Sequence, residues 1–537
     1  AKAPPLRLPQ TVDREAAKRA LADTHAWLMV EQVEAGVERP LAVRVSTKEL
    51  IELELGVCEG CAEEPQALRV GLTKAVKARG SFLSPSWGEV KSTYDAGRVW
   101  SAAVRSEGAF GLRLHFKRFR LPADTELYLF NERGEVAGPY SGWGPLGTGE
   151  FWANMITGDT VYLQLRQYGP AGPEKVGAAW FDLTDVGHVA EGFGRSLQAM
   201  AKAFCTYNAS CVENVNCGSP SLAVDVARDA VAHMQFVKRP YLYVCSGGLI
   251  ADSAGSGTPY FLTANHCISR DREASTLETY FQWTVGCGKT CPTQWEEPID
   301  TPKMLGSSVV ATNNTGDYTL LLLNGSVPEG LAFLGWTSEP VAFANGTDLY
   351  RVSHPSAAPQ AYSEHQVDTL AGTCTTWPRG SWIYSRDTSG ATEGGSSGSP
   401  VVNGAGLVVG QLSGACGTNV NDNCDATNNA TVDGAFAGYY TEVAQYLGGS
   451  GCVPTPEDCS NGVDDDCDGL VDDDDPDCQT CVPTAEDCSN GLDDDCDGLV
   501  DGEDPDCDTT CGLPGDTCST GADCCSGRCH PRKLVCQ

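Results

Sequence analysis

The 26 cysteines of this chain restrict its possible folds more than any other feature, because they are distributed very unevenly. Twelve of them lie in residues 1–451 and 14 lie in residues 452–536. An even total, dense in one short segment, is typical of a disulfide framework made in an oxidising compartment. The chain opens without a basic and then apolar leader, so we expect any secretion signal to have been removed already. The pattern predicts a secreted, disulfide-bonded protein.

Charge and hydropathy narrow the class of partner. Lys and Arg total 37 against 71 for Asp and Glu, a formal net charge of −34. Such a balance argues against nucleic acid and acidic membrane surfaces as partners. No apolar stretch approaches the roughly 18 residues that a membrane span needs. We therefore expect no transmembrane segment. The length of 537 residues allows about three or four domains.

The first domain is predicted over residues 1–200. Residues 11–35 mix Ala, Leu, Glu, Lys and Arg at helical spacing and predict one amphipathic helix. From about 41 to 185 the pattern changes to short runs of alternating apolar and polar residues between Gly, Pro, Asn and Asp turns. These runs are LAVRVSTKELIELEL, VWSAAVRSE, GLRLHFKRFRL, TELYLFN and TVYLQLRQY. Strands at this spacing are typical of an antiparallel β-sandwich. Cys58 and Cys61 lack the βαβ context of a redox pair and are interpreted as a local staple.

Residues 205–450 form a second block, rich in glycine and short strands, with ten cysteines. Strands are predicted at YLYVCSGGLI, PYFLTANHC, YTLLLLN, SPVVN, GLVVGQLSG and AFAGYYTEV, with a helical turn near residues 443–447. About 245 residues of this pattern fit a two-barrel or large sandwich domain. The predicted fold class is therefore mainly β.

Three local signals in this block point to acyl-transfer chemistry. His266 ends a probable strand, Asp317 lies at the mouth of an apolar strand, and Ser397 lies in the Gly-rich turn EGGSSGSPVV. A serine hydroxyl is a poor nucleophile until an imidazole accepts its proton, and a carboxylate must orient that imidazole. Glycines allow backbone N–H groups to converge on the oxyanion, where one donor contributes about 10²–10³ in rate. Each signal alone is usually structural, but the three together favour an enzyme.

The motifs CSGG, TANHC, GDYTLLLL and GSSGSP resemble those of chymotrypsin-like serine proteases and, within them, bacterial lysyl endopeptidase-like enzymes. The resemblance covers roughly residues 205–450 and implies a double β-barrel with the triad between the barrels. It implies that Ser397 is the nucleophile, His266 the general base and Asp317 its orienter. It also implies that the N–H groups of Gly395 and Ser397 form the oxyanion hole.

The resemblance also implies a set of disulfides, since SCVENVNC is similar to the start of mature lysyl endopeptidases. The implied pairs are Cys211–Cys416, Cys217 with Cys287 or Cys291, and Cys245–Cys267. Four cysteines remain unassigned in this scheme: Cys205, Cys374, Cys424 and the unused member of the Cys287/Cys291 pair.

Substrate specificity is predicted from two positions. Ser413 is expected on the strand that receives the substrate backbone. Ala391 stands where trypsins keep the carboxylate that binds a substrate cation. Lysyl enzymes use an Asp on a later segment, for which Asp433 is the candidate; its other interpretation is a turn residue beside Gly434. Three further histidines are expected to be packing or surface residues: His233, His354 and His365.

The acidic region 452–508 is a duplicated module, because CVPTPEDCSNGVDDDCDGLVDDDDPDC and CVPTAEDCSNGLDDDCDGLVDGEDPDC share all four cysteines. Each copy has the spacing of a calcium loop, and oxygen-only ligands select Ca²⁺. The repeats resemble cysteine-flanked metal-binding motifs of bacterial secreted proteins and thrombospondin-type calcium repeats. The alternative is a solvated acidic linker. The candidate ligands are Asp464, Asp466, Asp468 and Asp475 in the first copy and Asp493, Asp495, Asp497 and Asp504 in the second.

Residues 511–536 contain six cysteines with the spacing C-x6-C-x5-C-C-x3-C-x6-C. This spacing resembles the inhibitor cystine knot, although six cysteines alone permit 15 connectivities. The resemblance implies the pairs Cys511–Cys525, Cys518–Cys529 and Cys524–Cys536. For the tail, a cell-surface or matrix target is one hypothesis.

The predicted protein is a secreted serine endopeptidase of four regions: 1–200, 205–450, 452–508 and 511–536. It acts on protein and peptide substrates, needs no cofactor for catalysis and carries structural Ca²⁺. Its first region resembles the long precursor segment of lysyl endopeptidase-like proteins, so a pro-form (zymogen) is expected, with that region as folding aid or inhibitor. The alternative for this region is a permanent accessory sandwich. The alternative function is calcium-dependent surface binding or adhesion with an inert protease-like block.

Overall fold

The computed structural model describes residues 1–10, 14–35, 39–55, 66–83, 87–93, 96–170, 178–190, 209–217, 222–287, 301–448 and Thr517. Backbone contacts divide the chain into two units, residues 1–451 and 452–537. The predictions for Cys58, Cys61, Cys205, Cys291 and the region 452–536 fall outside the described residues. Strand makes up 46% of the structure and helix 14%, so the mainly β prediction is confirmed. No helix in the described ranges combines the length and apolar character needed to cross a membrane.

In the described part of residues 1–190, the N-terminal region, there are two helices and a series of strands. Its described elements are α1 (Arg14–Ala35), α2 (Thr47–Leu55), β1 (Lys2–Ala3), β2 (Leu6–Arg7), β3 (Leu41–Ala42), β4 (Leu68–Ser81), β5 (Glu89–Ser92), β6 (Arg98–Arg105), β7 (Ala109–Arg120), β8 (Thr125–Phe130), β9 (Val136–Tyr140), β10 (Phe151–Trp152), β11 (Ile156–Thr157), β12 (Thr160–Gln167) and β13 (Trp180–Ala190).

The protease-like region, residues 209–448, contains shorter helices and further strands. Its described elements are α3 (Leu222–Ala230), α4 (Asp271–Ala274), α5 (Phe436–Leu447), β14 (Glu213–Asn214), β15 (Val231–Lys238), β16 (Tyr241–Leu249), β17 (Tyr260–Ala264), β18 (Glu278–Phe281), β19 (Lys303–Leu305), β20 (Ser307–Asn313), β21 (Tyr318–Leu323), β22 (Ala332–Phe333), β23 (Gly335–Thr337), β24 (Asp348–Ser353), β25 (Ala361–Val367), β26 (Trp382–Ser389), β27 (Pro400–Asn403), β28 (Leu407–Gly417) and β29 (Asn429–Ala435).

Two sheets of the N-terminal region pack as a sandwich. One runs β3-β6-β12-β8-β9 with β5 on β6, and the other includes β7, β13 and β4. The aromatic side chains between them are fully buried, among them Trp100, Phe116, Phe119 and Phe181. Burial of an aromatic side chain of this size is a dominant favourable contribution to a core. The sandwich is antiparallel as predicted, except that β3 pairs with β6 in parallel.

The protease-like region has two strand assemblies. In the second, β24, β25, β26, β29, β28 and β27 pair in that order, and β27 pairs back with β24, which closes a six-stranded barrel. In the first, the pairing order is β18-β15-β16-β17-β21-β20. Side chains of these strands share one core, which includes the fully buried Phe236, Leu249, Phe261 and Leu321.

One sheet of the sandwich, the one with β7, β13 and β4, continues into the first strand assembly of the protease-like region, which the sequence did not indicate. Strand β4 pairs with β16 over Leu72↔Tyr241 to Leu68↔Val244. The short strands β1 and β2 also pair within the protease-like region, with β23 and β22. The N-terminal region therefore supplies strands to the protease-like region and covers one edge of its sheet.

Buried charges cross the same boundary. Arg113 and Glu278 are both fully buried and lie 3.5 Å apart. The Glu278 carboxylate also accepts hydrogen bonds from Asn154 Nδ2 at 2.8 Å and from the Met155 amide at 2.9 Å. A buried ion pair that loses one partner leaves an uncompensated charge. Each region therefore depends on the other for electrostatic balance.

Two predicted strands are helices. In LAVRVSTKELIELEL only Leu41–Ala42 is a strand, and Thr47–Leu55 is α2. Ser46 and Glu49 form a capping box, in which the Glu49 amide donates to Ser46 Oγ at 3.3 Å and the Ser46 amide donates to Glu49 Oε2 at 2.9 Å. This reciprocal pair satisfies free N–H groups at the helix start, and the S-x-x-E spacing is the signal that identifies it.

The segment AFAGYYTEV is also mostly helical, since α5 begins at Phe436 and extends through the turn predicted near 443–447. Its fully or nearly buried side chains are Phe436, Tyr439, Val443 and Leu447. Spacings of three and four residues place them on one helical face. The prediction of a strand was wrong because a short apolar run does not distinguish the two periods.

Candidate active site

His266 and Asp317 are brought together by two paired strands. His266 follows β17 and Asp317 precedes β21, and these strands pair at Ala264↔Tyr318. His266 Nδ1 lies 2.7 Å from Asp317 Oδ2, and the His266 amide donates to Asp317 Oδ1 at 2.9 Å. Both side chains are largely buried, with 8% and 5% exposure. A proton on Nδ1 satisfies this bond and leaves Nε2 to accept another proton, which is the arrangement of a general base.

The Ser397 turn adjoins this pair through main-chain contacts. The Ser397 carbonyl accepts a hydrogen bond from the Ser246 amide at 2.8 Å, and Cys267 Sγ lies 3.7 Å from the same oxygen. Among the described residues, neither His266 Nε2 nor the Ser397 hydroxyl has a hydrogen-bond partner. Nε2 is buried, whereas Ser397 is partly exposed.

Ser396 and Ser399, which flank Ser397 in the motif, are both fully buried. The Ser396 hydroxyl accepts a hydrogen bond from Ser353 Oγ at 3.0 Å, and Ser399 binds Arg351 through its carbonyl and hydroxyl oxygens. A nucleophile has to reach substrate, so partial exposure favours Ser397 over its neighbours.

Two positions in the Ser397 turn have positive φ and too little space for a Cβ atom, and both are occupied by glycine. Gly395 has φ +100°, and a Cβ there would lie 2.8 Å from the His354 carbonyl oxygen. Gly398 has φ +80°, and a Cβ there would lie 2.2 Å from Thr263 Oγ1. Only glycine tolerates these positions. In the described part of the chain, the N–H groups of Gly395 and Ser397 have no acceptor, so both remain available to an oxyanion.

Glu393 is a buried carboxylate in this turn that the sequence analysis did not identify. It accepts hydrogen bonds from the Ala209 amide and from Ser356 Oγ, the latter at 2.7 Å. The segment before Ser397 is thereby attached to the start of the protease-like region. The only feature of the sequence that could have indicated this role is the acidic residue four positions before Ser397.

The structure contains the Cys217–Cys287 and Cys245–Cys267 disulfides that the resemblance implied. The predicted Cys211–Cys416 bond is wrong. Cys211 is bonded to Cys424 and Cys416 to Cys374, with Cα separations of 5.7 and 5.9 Å that suit a disulfide. Cys416 pairs with Cys374 because the two side chains pack in the same buried cluster. Cys416 lies in β28, and the cluster also contains Trp377, Trp382 and Tyr384.

One cluster has metal-ligand spacing, formed by Cys245, His266 and Cys267 within 4.8 Å. The two sulfurs are bonded to each other, and a metal-binding cysteine has to be a thiolate. This cluster therefore holds the His266 segment in place and does not supply thiolate ligands.

Asp433 is not retained as a substrate-binding residue. It is fully buried, and its Oδ1 lies 2.5 Å from the equally buried guanidinium of Arg351. Its other oxygen is sealed from solvent and has no partner among the described residues. Arg351 neutralises the charge that a substrate cation would need. Asp433 also differs from the alternative interpretation as a turn residue, since it lies within β29.

Ser413 lies on a strand that runs beside the Ser397 turn. It is in β28, next to Leu412, whose amide donates to the Ser399 carbonyl at 2.9 Å and whose carbonyl accepts from the Gly398 amide at 2.8 Å. These bonds place β28 alongside the Ser397 turn. The Ser413 hydroxyl is buried and has no partner among the described residues.

His233 and His354 are packing residues, as predicted. Their rings are 5.6 Å apart, and His354 stacks on Trp283 at 5.8 Å. Burial lowers the pKa of His354 to about 4, so the ring is neutral at neutral pH. His365 is also buried, but it binds a carboxylate.

The N-terminal region reaches the active-site turn at Leu68. A Cβ on Gly394 would lie 3.4 Å from Leu68 Cδ1, which is ordinary van der Waals contact. Leu68 is buried and begins β4, while Gly394 is otherwise exposed. The start of β4 therefore lies against the segment that leads to Ser397.

The chain is similar to known proteases. The family described as the lysyl endopeptidase C-terminal domain matches residues 206–430. A lysyl endopeptidase from Pseudomonas aeruginosa is 27% identical over 370 residues, which cover 65% of this chain and 74% of that protein. These two matches support a protease.

Solved structures of two proteases also match, each at 15% identity and over 42% of this chain. The HtrA-type protease AlgW with a tripeptide has a TM-score of 0.30, with 62% of its chain covered. The Rv3671c protease from M. tuberculosis in its active form has a TM-score of 0.29, with 83% of its chain covered.

Proposed function

We propose that this protein is a secreted serine endopeptidase that hydrolyses peptide bonds through an acyl-enzyme on Ser397. The observation that carries the proposal is the His266–Asp317 pair beside a turn in which Ser397 is partly exposed and two N–H groups are unengaged. Similarity to lysyl endopeptidase over residues 206–430 supports the same assignment. Secretion is supported by the disulfides of the protease-like region.

In the proposed mechanism, His266 Nε2 accepts the Ser397 proton as Oγ attacks the substrate carbonyl carbon. Asp317 keeps the Nδ1 proton in place and stabilises the imidazolium that forms. The N–H groups of Gly395 and Ser397 donate to the oxyanion. His266 then protonates the leaving amine, and water, activated by the same nitrogen, hydrolyses the acyl-enzyme.

We further propose that residues 1–200 act as a folding aid and shield the site in a pro-form. The continuous β4–β16 pairing supports the first role, because it supplies a partner strand for β16. The position of Leu68 beside Gly394 supports the second role, together with the burial of His266 Nε2. In this proposal activation requires that the start of β4 move away from the turn.

An irreversible serine-hydrolase probe tests the proposal. We expect a fluorophosphonate to label the purified chain at Ser397, because the hydroxyl has a general base and an oxyanion hole beside it. Peptide mapping by mass spectrometry identifies the labelled residue. Labelling at no residue, in full-length and proteolytically nicked protein alike, would instead favour the calcium-dependent adhesion protein with an inert protease-like region.

Calcium binding by residues 452–508 is a separate proposal, based on the two acidic repeats. We expect the full-length chain to bind about two Ca²⁺ ions, one per repeat, since clustered carboxylates repel one another until a hard cation binds them. Calorimetric titration measures the stoichiometry. Replacing Asp464 and Asp466 by Asn is expected to remove one site, and replacing Asp493 and Asp495 the other. Titrations that show no saturable binding at millimolar calcium would leave the solvated-linker interpretation.

A further inference from the structure

Gln411, in β28 of the six-stranded barrel, is a fully buried amide that the sequence analysis did not identify. Its Nε2 donates to two consecutive carbonyl oxygens, those of Gly316 at 2.9 Å and Asp317 at 3.1 Å. Its Oε1 accepts a hydrogen bond from the Tyr439 hydroxyl in α5. Both ends of the amide are therefore engaged, and the six-stranded barrel is joined to the segment of the other strand assembly that carries Asp317.

The surroundings of Gln411 allow one orientation of its amide. A carbonyl oxygen accepts hydrogen bonds and cannot donate them, so the NH₂ group has to face Gly316 and Asp317. The amide oxygen then faces Tyr439, whose hydroxyl can donate. Burial raises the pKa of Tyr439 well above its ordinary value, so this hydroxyl keeps its proton at neutral pH. Tyr439 therefore orients the amide, and the amide holds the two carbonyl groups.

Asp317 has a backbone conformation that needs such support. Its φ is +47°, in the left-handed region that a residue with a Cβ atom seldom adopts. Its carbonyl also accepts a hydrogen bond from the Asn265 amide at 3.0 Å, and its two carboxylate oxygens bind His266. Residues in sparsely populated conformations persist only where the surrounding structure holds them. The backbone of Asp317 is held from one side by Gln411 and from the other by the segment that leads to His266.

Two glycines leave the space that this contact occupies. A Cβ atom on Gly434 would lie 2.1 Å from the Gly316 carbonyl oxygen and 2.3 Å from Gln411 Nε2. A Cβ atom on Gly316 would lie 3.0 Å from Cδ1 of Tyr439. These distances exclude a side chain at Gly434 and leave little room for one at Gly316. The close approach of the two strand assemblies at this point therefore depends on glycine.

We propose that Gln411 is a positioning residue of the active site, which holds Asp317 so that its carboxylate orients His266. This inference rests on the proposed endopeptidase function. The Gly316 and Asp317 carbonyls belong to the two peptide groups that flank the Asp317 Cα atom, so the amide restrains rotation on both sides of it. Without the amide, the backbone relaxes and the carboxylate moves away from His266 Nδ1. The Nδ1 proton is then no longer kept in place while Nε2 accepts the proton of Ser397.

Gln411→Met tests this role, because it keeps the length of the side chain and removes its two hydrogen-bond donors. The full-length chain is assayed before and after limited proteolysis, on a peptide amide that the wild-type protein selects from a library. We expect kcat to fall by about 100-fold, the effect of a small displacement of catalytic groups. KM should change by less than about threefold, since the Asp317–His266 contact acts in the transition state. Tyr439→Phe is expected to lower kcat by only about fivefold, because it removes one neutral hydrogen bond.

Gln360→Met is the matched control. Gln360 is also fully buried, and its Nε2 likewise donates to two carbonyl oxygens, those of Arg228 at 2.9 Å and Val231 at 3.1 Å. These carbonyls belong to α3 and β15, and not to the segments that carry His266 and Asp317. The control should lower the thermal unfolding midpoint as much as Gln411→Met does, and should keep kcat within about threefold of wild type. An equal loss of kcat in both variants, or an unchanged kcat in Gln411→Met, would overturn the positioning role.

A proton NMR measurement separates this inference from the proposed function, because it needs no catalysis. The Nδ1 proton of a histidine bonded to a carboxylate resonates far downfield of other ring and amide protons. In full-length Ser397→Ala protein we expect such a signal from His266, identified by its loss on His266→Ala. Gln411→Met is expected to shift or abolish it. The signal of His365, whose Nδ1 lies 2.7 Å from Asp387, is the internal reference and should not move.

The NMR outcomes are decisive in either direction. If the wild-type chain cleaves no substrate but Gln411→Met still changes the His266 signal, the endopeptidase proposal fails and the positioning role stands. A His266 signal that Gln411→Met leaves unchanged overturns the positioning role, whatever the activity. Absence of the signal in the Ser397→Ala parent overturns it as well, because the carboxylate of Asp317 would then not orient the ring.

Discussion

Replacement of Ser397 by alanine is expected to abolish hydrolysis, lowering kcat for peptide and ester substrates by about 10⁴-fold or more. Without the hydroxyl no acyl-enzyme forms, and His266 has no proton to accept. The residual rate comes from the oxyanion hole and substrate binding alone. Folding should be unaffected, because the hydroxyl is partly exposed and has no partner in the described structure. Steady-state kinetics and the thermal unfolding midpoint measure the two effects.

Ser396→Ala and Ser399→Ala are the matched controls for this experiment. Both remove a hydroxyl from the same turn, but these hydroxyls are buried and bind Ser353 and Arg351. They are expected to retain measurable activity, with a loss of stability on the order of 1 kcal/mol for each hydrogen bond removed. If Ser396→Ala is the inactive variant and Ser397→Ala is not, the assignment of the nucleophile is wrong.

A chain that begins at Thr206 is expected to refold at least about tenfold less efficiently than the full-length chain. Without residues 1–205, strand β16 loses β4, and an unpaired strand edge promotes association with other chains. Leu242 and Val244, buried beside this boundary, lose apolar neighbours from the N-terminal region. Glu278 also loses Arg113 and its two other hydrogen-bond donors from that region. The yield of soluble, probe-reactive protein after dilution from denaturant measures the effect.

Addition of residues 1–205 as a separate chain supplies the control. Since the boundary is non-covalent, we expect the separate chain to restore much of the refolding yield. A Glu278→Ala version of the shorter chain should be rescued less well, because Arg113 of the added chain would then be buried without its partner at a cost of about 3–5 kcal/mol. Equal refolding of the short chain with and without residues 1–205 would contradict a folding role for this region.

The parts of the site that the sequence predicted are those with local requirements. Gly395 and Gly398 are needed because the turn around Ser397 has positive φ and close backbone neighbours, so a Gly-rich motif marks it. His266 and Asp317 each lie at the end of an apolar strand, and strand pairing brings them together. Cys245 and Cys267 are only 22 residues apart, and they lie on paired strands or directly after them.

The predictions that failed depended on distant residues or on a pattern with two interpretations. Cys211–Cys416 failed because Cys416 packs beside Cys374 in one buried cluster, a tertiary contact that no local pattern records. Asp433 failed because Arg351, 82 positions earlier, pairs with it inside the barrel. The helix at Thr47–Leu55 was missed because the alternating segment before it extended the strand prediction over a capping box.

The class of fold, the order of the regions and the candidate triad could all be predicted from the sequence, because strand periodicity, turn glycines and motif spacing express short-range sterics and hydrogen bonding. Three-dimensional folding was needed to show that the N-terminal region shares a sheet with the protease-like region and that Arg351 neutralises Asp433. These properties depend on which groups meet after the chain has folded. The charge of a carboxylate, and its access to a ligand, are set by spatial neighbours, here by a residue 82 positions away in sequence.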